Sequence, residues 1–202
     1  MVKQNAPFDF LIIGQGLAGS LLAWRLISHG KKVLVIDSCL KQTSSRTAAG
    51  LINPVTGKRL VKPTNIENYL TSARTLYNDL GAFFNHKVFF EKPQLKLFRS
   101  EEDKIQWQKR KKDFSYHAFL GEQFKPEDKP FLATNSLGGF EQKQCAYLNT
   151  VPLLDELRQF FTKKGAFIHA QVNPSELNIG NDAIEWQGHK ASKVIFCDGY
   201  HL

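Results

Sequence analysis

The chain has 202 residues, 42% hydrophobic and 12% aromatic, with sixteen Phe against one Met, enough for a sizeable core in one domain or one and a half. No run reaches the ~20 apolar residues of a membrane span, and the three widely spaced cysteines, Cys39, Cys145 and Cys197, offer neither a Cys-x-x-Cys pair nor a metal spacing. The formal charge of +8 allows an anionic partner (a dinucleotide, an acidic substrate or nucleic acid) or simply a basic solvated surface.

Residues 1–9 are short and polar, unlike a secretory signal, and reduced thiols point to a cytoplasmic protein. An apolar strand is predicted over 10–13, followed at once by Gly14-Gln15-Gly16-Leu17-Ala18-Gly19. A helix is expected over about 17–28, with Leu21, Leu22, Arg25 and Leu26 at helical spacing, Gly19 and Ala23 on a small-residue face, and Gly30 as its stop. The second apolar strand, 33–36, closes on Asp37, 23 residues after Gly14.

This order of strand, glycine turn, helix, strand and acid is the one that binds the ADP half of a dinucleotide. Gly14 can take the backbone angles of a sharp strand-to-helix turn. Gly16 lets the main chain approach a pyrophosphate, and Gly19 lets the helix pack near the strand. The helix N-terminus offers N–H groups and the positive end of its dipole to the phosphates. The Asp37 carboxylate can accept hydrogen bonds from ribose hydroxyls. The fingerprint alone does not choose between NAD and FAD.

The stretch 38–63 carries little helical or strand pattern and is rich in Ser, Thr, Gly, Ala and Pro. A stretch of that length inside a compact domain is usually functional or disordered. An amphipathic helix follows over 65–84, with Ile66, Tyr69, Leu70, Ala73, Leu76, Tyr77 and Leu80 on one face and Thr64 or Asn65 as cap. Short strands are expected over 88–90 and 95–98. A helix opens at 100–103 with a capping pattern and ends in the basic run 109–112, a solvated helix end rather than a nucleic-acid patch. Residues 113–139, with Pro126, Pro130 and the pair Gly138-Gly139, look like loop. Thr150 is expected to cap a helix over 151–164 that buries Leu153, Leu154, Leu157, Phe160 and Phe161 and stops at Gly165. A strand over 166–170, two strands flanking a turn at 180–182 and an apolar strand over 194–197 complete the chain. His86, His117, His169 and His189 lie in separate segments and read as structural or exposed.

Strands joined by helices argue for a parallel sheet. The fold class is therefore α/β, a Rossmann-like FAD/NAD(P)-binding domain with a parallel sheet. The insertion between the second and third sheet strands is too large for an ordinary connection and contributes to a second domain.

The fingerprint lies near the N-terminus, and Ser44-Ser45-Arg46-Thr47-Ala48-Ala49-Gly50-Leu51-Ile52-Asn53-Pro54 follows the acid. With Gly-x-Gly-x-x-Gly-x-x-x-Ala over 14–23 and Asp37, the chain resembles the D-amino-acid oxidase-like, glycine oxidase-like family of FAD-dependent oxidoreductases. The later succession of Gly138-Gly139, a helix, Gly165-Ala166, a strand and an apolar strand closing at Gly199 is similar too. The resemblance implies FAD, bound without a covalent link because Arg46 stands near where some relatives carry an attachment histidine. It assigns Gly14, Gln15, Gly16, Leu17, Ala18, Gly19, Asp37, Ser38, Val172 and Gly199 to the cofactor. It places Ser44 and Ser45 at the pyrophosphate or ribityl region, Ala48, Ala49 and Gly50 beside the flavin ring, and Arg46 near a phosphate or the reduced flavin. The implied domains are a FAD-binding core over 1–64, an inserted α+β portion of a substrate domain over 65–145, and the rest of the core over 146–202.

The implied chemistry belongs to the flavin. A small amine or amino-acid substrate passes a hydride equivalent to it, water hydrolyses the imine, and a second acceptor, often oxygen, restores the flavin. Family members are substantially longer, so the chain reads as an N-terminal portion with an incomplete site. Two alternatives accompany this reading. One is FAD-dependent modification of a tRNA nucleoside, suited to the +8 charge; the other is a non-catalytic nucleotide-binding fragment or subunit. Substrate, electron acceptor and oligomeric state are not encoded in any motif.

Overall fold

A computed structural model describes residues 8–129, 137–181 and 183–199; the expectations for 1–7, Pro130, Asp182 and 200–202 lie outside them. In chain order the elements begin with β1 (Phe8–Ile13), α1 (Leu17–Ser28), β2 (Val33–Asp37), the single turn α2 (Ser44–Thr47) and β3 (Leu51–Ile52). There follow α3 (Ile66–Phe84), β4 (Phe89–Glu91), β5 (Gln94–Leu97), α4 (Glu101–Lys111), β6 (Leu120–Phe124), β7 (Gly139–Gln142) and β8 (Ala146–Leu148). The last are α5 (Thr150–Lys163), β9 (Phe167–His169), β10 (Asn178–Ile179), β11 (Ile184–Trp186) and β12 (His189–Phe196). The chain divides into two compact units, Met1–Ala48 with Thr150–Leu202, and Ala49–Asn149.

The first unit is built on a six-stranded sheet of order β10-β11-β12-β1-β2-β9. β12, β1, β2 and β9 run parallel, while β10, β11 and β12 form an antiparallel edge. Parallel strands covered on both faces read as unbroken apolar runs, which is why β1 and β2 stood out in the sequence. Leu11 pairs with Leu34 and Ile13 with Ile36, so these four side chains share one face. They form a core there with Trp186 and Ala191, flanked by Phe8, Ile168, Ala170 and Val172.

Helix α1 turns its small-residue face inward, burying Gly19, Ser20 and Ala23, with Trp24 buried beside them. Leu21, Leu22 and Leu26 are only half-buried and Arg25 is exposed, so the predicted leucine stripe is not the face that packs. Small residues permit the closer approach of backbones. Helix α5 buries Leu153, Leu154, Leu157 and Phe161 as expected, with Phe160 half-buried at the margin. Thr150 is the first helical residue rather than a cap, and its hydroxyl donates to the Ala48 carbonyl at 3.4 Å.

The second unit holds two three-stranded antiparallel sheets, β3-β8-β4 and β5-β7-β6. Its core gathers Val55, Leu60, Ile66, Leu70, Phe98, Trp107, Tyr116, Phe119, Leu120 and Phe140. In α3 the residues Ile66, Leu70, Tyr77 and Leu80 are buried, but Tyr69, at the edge of the predicted stripe, is 60% exposed. Asn65 precedes α3 in the left-handed region and makes no side-chain cap, contrary to expectation. Ser100 does cap α4, accepting from the Asp103 amide at 3.3 Å, and Asp103 in turn accepts from the Arg99 amide at 3.0 Å.

Two stretches expected to be irregular contain structure. α2 and β3 lie within 38–63, and β6 lies within 113–139. Four-residue turns and two-residue strands are too short to show a period, and β6 (Leu-Gly-Glu-Gln-Phe) lacks strict alternation. The basic end of α4 is used internally. Lys111 Nζ donates to the Leu120 and Gly121 carbonyls and pairs with Glu122 at 2.9 Å. Arg110 donates to the Arg59 carbonyl and lies 5.1 Å from the Tyr116 ring centroid. Among the described residues no helix is long and apolar enough to cross a membrane.

Candidate functional site

The first unit contains a cleft of about 240 Å³ at the carboxyl ends of its parallel strands. The ends of β1 and β2, the α2 turn, the segment after β9 and the segment after β12 all open into it. Ligands of open α/β sheets bind outside these strand ends.

The turn from β1 to α1 is built as the sequence requires. Gly14 has φ +103°, and a Cβ there would lie 2.5–2.8 Å from the Cys197–Asp198 backbone. The ladders run right up to it, with the Gly14 amide donating to Ile36 and the Cys197 amide to Ile13. A Cβ on Gly19 would collide with the Gly14 carbonyl, so the helix rests directly against the turn. A Cβ on Gly16 would sit 3.0 Å from Ser45 Oγ, on the cleft wall.

Ser45, on α2, accepts a hydrogen bond from the Leu17 amide at 3.0 Å, the first N–H of α1. The Ala18 and Gly19 amides have no acceptor among the described residues. Unpartnered N–H groups at a helix N-terminus suit an anion, and the Ser45 hydroxyl keeps its proton to donate. Ser45→Ala removes one helix-end acceptor and should cost about 1 kcal/mol. Thermal unfolding should then fall by roughly 2–4 °C, and an unchanged midpoint would refute this role.

Asp37 closes β2, with its side chain 17% exposed. Oδ2 accepts from the Gln15 amide and Oδ1 from the Cys39 amide, both at 2.7 Å. Arg158 Nη2 lies 3.5 Å from Oδ1. A carboxylate offers about four lone-pair sites, and these three contacts leave one of them, on Oδ2, for a further donor. Burial pushes the Cys39 and Cys197 thiols up, with Arg158 opposing and Asp37 reinforcing the shift at Cys39 and Asp198 reinforcing it at Cys197. Both therefore stand as neutral thiols, Cys197 on the cleft wall, and all three cysteines are free.

Of the residues proposed from the sequence, Gly14, Gly16, Asp37, Ser38, Ser44, Ser45, Val172 and Gly199 line the cleft. Gln15 is 3% exposed with its side chain turned into the protein, where Nε2 donates to Ser20 Oγ and the Leu154 carbonyl. Leu17, Ala18 and Gly19 belong to the first turn of α1. Arg46 is drawn away to Asp155 on α5 at 2.8 Å. Ala48 is exposed, with its carbonyl on Thr150, while Ala49 and Gly50 belong to the second unit, where the Gly50 carbonyl accepts from the Leu148 amide.

The sequence reading missed Leu40, Thr43, Gln171, Cys197 and Asp198 on the wall, and Arg158 behind it. The wall residues flank predicted positions and were reachable by adjacency. Among the histidines, His169 contacts the Ser38 carbonyl, His117 the Lys111 carbonyl, and His189 stacks near Trp186. The described residues contain no metal-holding cluster.

Residues 9–202 match the family model described as DAO, FAD dependent oxidoreductase. Among solved structures the chain is similar to glycine oxidase from Bacillus cereus ATCC 14579, with 18% identity and a TM-score of 0.70, covering 94% of this chain and 54% of that one. It is similar to glycine oxidase from Geobacillus kaustophilus, with 15% identity and a TM-score of 0.73, covering 96% and 55%. Iminodiacetate oxidase from Chelativorans sp. BNC1 matches with 16% identity and a TM-score of 0.69, covering 94% and 55%. The chain thus spans about half the length of these structures.

Proposed function

The chain belongs to the DAO family of FAD dependent oxidoreductases, and from that membership we propose that it holds the ADP half of FAD in the first unit's cleft and serves oxidation of a small amine or amino acid. The observation that carries this reading is the convergence on one cleft of the Gly14–Gly16 turn, the Ser45 hydroxyl and the Asp37 carboxylate. Their donors and acceptors fit a pyrophosphate followed by a ribose. The unpartnered Ala18 and Gly19 amides and the Ser45 hydroxyl meet the phosphates. Asp37 meets the ribose hydroxyls, and Val172 and Gly199 bound the cleft on its other sides.

When bound, FAD supplies the acceptor for a hydride equivalent from the substrate's carbon–nitrogen unit. The chain's own contribution in this cleft is to bind and orient the nucleotide. The amine or amino-acid class is proposed from the family and from similarity to glycine oxidases and an iminodiacetate oxidase. The assignment of 65–145 to a substrate domain and of 1–64 with 146–202 to the FAD-binding core is part of the same proposal.

The test is to load the purified chain with FAD and follow flavin bleaching under anaerobic conditions with a panel of amino acids and secondary amines. Reduction by one member supports the reading. A flavin-loaded protein that no panel member reduces would favour a nucleotide-binding subunit without turnover of its own. A second reading, action on a tRNA nucleoside, draws on the +8 charge. It requires tRNA binding that weakens steeply with salt. The internal engagement of Lys111 and Arg110 weighs against it.

A further inference from the structure

Gln15 occupies a non-glycine place in the fingerprint, yet its amide is fully engaged. Nε2 donates to Ser20 Oγ and the Leu154 carbonyl, each at 2.9 Å, and Oε1 accepts from Arg158 Nε at 2.7 Å. Leu154 and Arg158 are one turn apart on α5, so a single helix face grips both ends of the amide. The Gln15 main-chain N–H then reaches Asp37 Oδ2, and the same guanidinium that holds Oε1 places Nη2 3.5 Å from Asp37 Oδ1. The ring of Phe167 lies 5.6 Å from the guanidinium carbon, behind it. Arg158 itself does not line the cleft.

We propose that Arg158 is a positioning residue for the dinucleotide. Forked between Gln15 and Asp37, it fixes the plane of the acid so that the remaining lone pair of Oδ2 faces a ribose hydroxyl. A planar guanidinium can serve two acceptors at fixed angles, whereas an ammonium acts as a point charge. The inference rests on the reading of this cleft as an ADP site.

The experiment is calorimetric titration of the full chain, with Arg158 native, R158Q or R158K, against ADP and 2′-deoxy-ADP. The native chain should prefer ADP by about tenfold, the size expected of a hydrogen bond to a charged group. In R158Q, ADP binding should weaken by about fivefold while 2′-deoxy-ADP binding changes little, so the preference falls to about twofold. R158K should fall between the two. A misfolded fraction lowers the fitted stoichiometry and leaves the ratio of affinities untouched. Equal weakening for both ligands would mean that Arg158 only supports the fold and would overturn the proposal. A native chain that binds both ligands equally well would overturn it while leaving the ADP cleft standing. A native chain that binds neither would overturn the cleft assignment and this inference with it.

Discussion

Replacing Gly14 with alanine should abolish FAD binding and lower the unfolding temperature by roughly 10 °C. Two costs combine at this position. The residue has φ +103°, where a side chain is strained by about 1–3 kcal/mol. The added Cβ would also lie 2.5 Å from the Cys197 carbonyl oxygen. That oxygen belongs to the backbone just beyond β12, so relief requires shifting a central strand, and overpacking of this kind costs about 1–3 kcal/mol. The sum is about 4 kcal/mol, and the displaced turn carries the Gly16 and Leu17 groups away from the cleft. Gly30 supplies the control. Its φ is +76° but nothing lies within 4 Å of a Cβ there, so Gly30→Ala should cost only about 1 kcal/mol and leave FAD binding intact. Equal effects from the two substitutions would show that conformational strain, not the close approach of β12, governs the turn.

Asp37→Ala should weaken FAD binding by about a hundredfold and destabilise the chain by about 2–3 kcal/mol. The carboxylate is the common acceptor for the Gln15 and Cys39 amides and the anionic partner of Arg158. Its loss leaves two backbone donors without an acceptor and the Arg158 cation without its counter-charge. Asp37→Asn is the informative companion. One oxygen can still accept, but the amide NH2 must then face one of two N–H donors, so a loss of about tenfold in FAD affinity is expected. Fluorescence titration with FAD and thermal unfolding measure both quantities. An asparagine variant as tight as the native chain would remove the ionised acid from the account.

The parts of this architecture that were legible in the sequence are the local ones. β1, the glycine turn, α1, β2 and Asp37 occupy thirty consecutive residues, Phe8 to Asp37, and each is specified by its neighbours. Ser45 was assigned to the cleft through a resemblance, while the α2 turn that presents it was not seen, because four residues are too few to display a helical period. Strand β12 was expected only over 194–197, since His189, Lys190, Ser192 and Lys193 hide its first half. Its hairpin with β11 turns at Gln187 and Gly188, both at positive φ, the signature of a tight two-residue connection.

Arg158 was not legible at all. It lies 143 residues from Gln15, and its place on α5 between the buried Leu157 and Phe161 gives no local sign that it reaches the glycine turn. The face of α1 was misread for a related reason. Leucines dominate a hydrophobic pattern, but the side that approaches the sheet is chosen by the smallness of Gly19 and Ala23.

The central claim is that the cleft beside Gly14, Ser45 and Asp37 receives the ADP half of FAD. Calorimetric titration of the full chain with FAD, ADP and FMN tests it most directly. The account predicts that FAD and ADP compete for one site, that both are weakened by Asp37→Asn, and that FMN, which lacks the adenosine half, does not displace ADP. FMN binding as tightly as FAD, with ADP unable to compete, would contradict it.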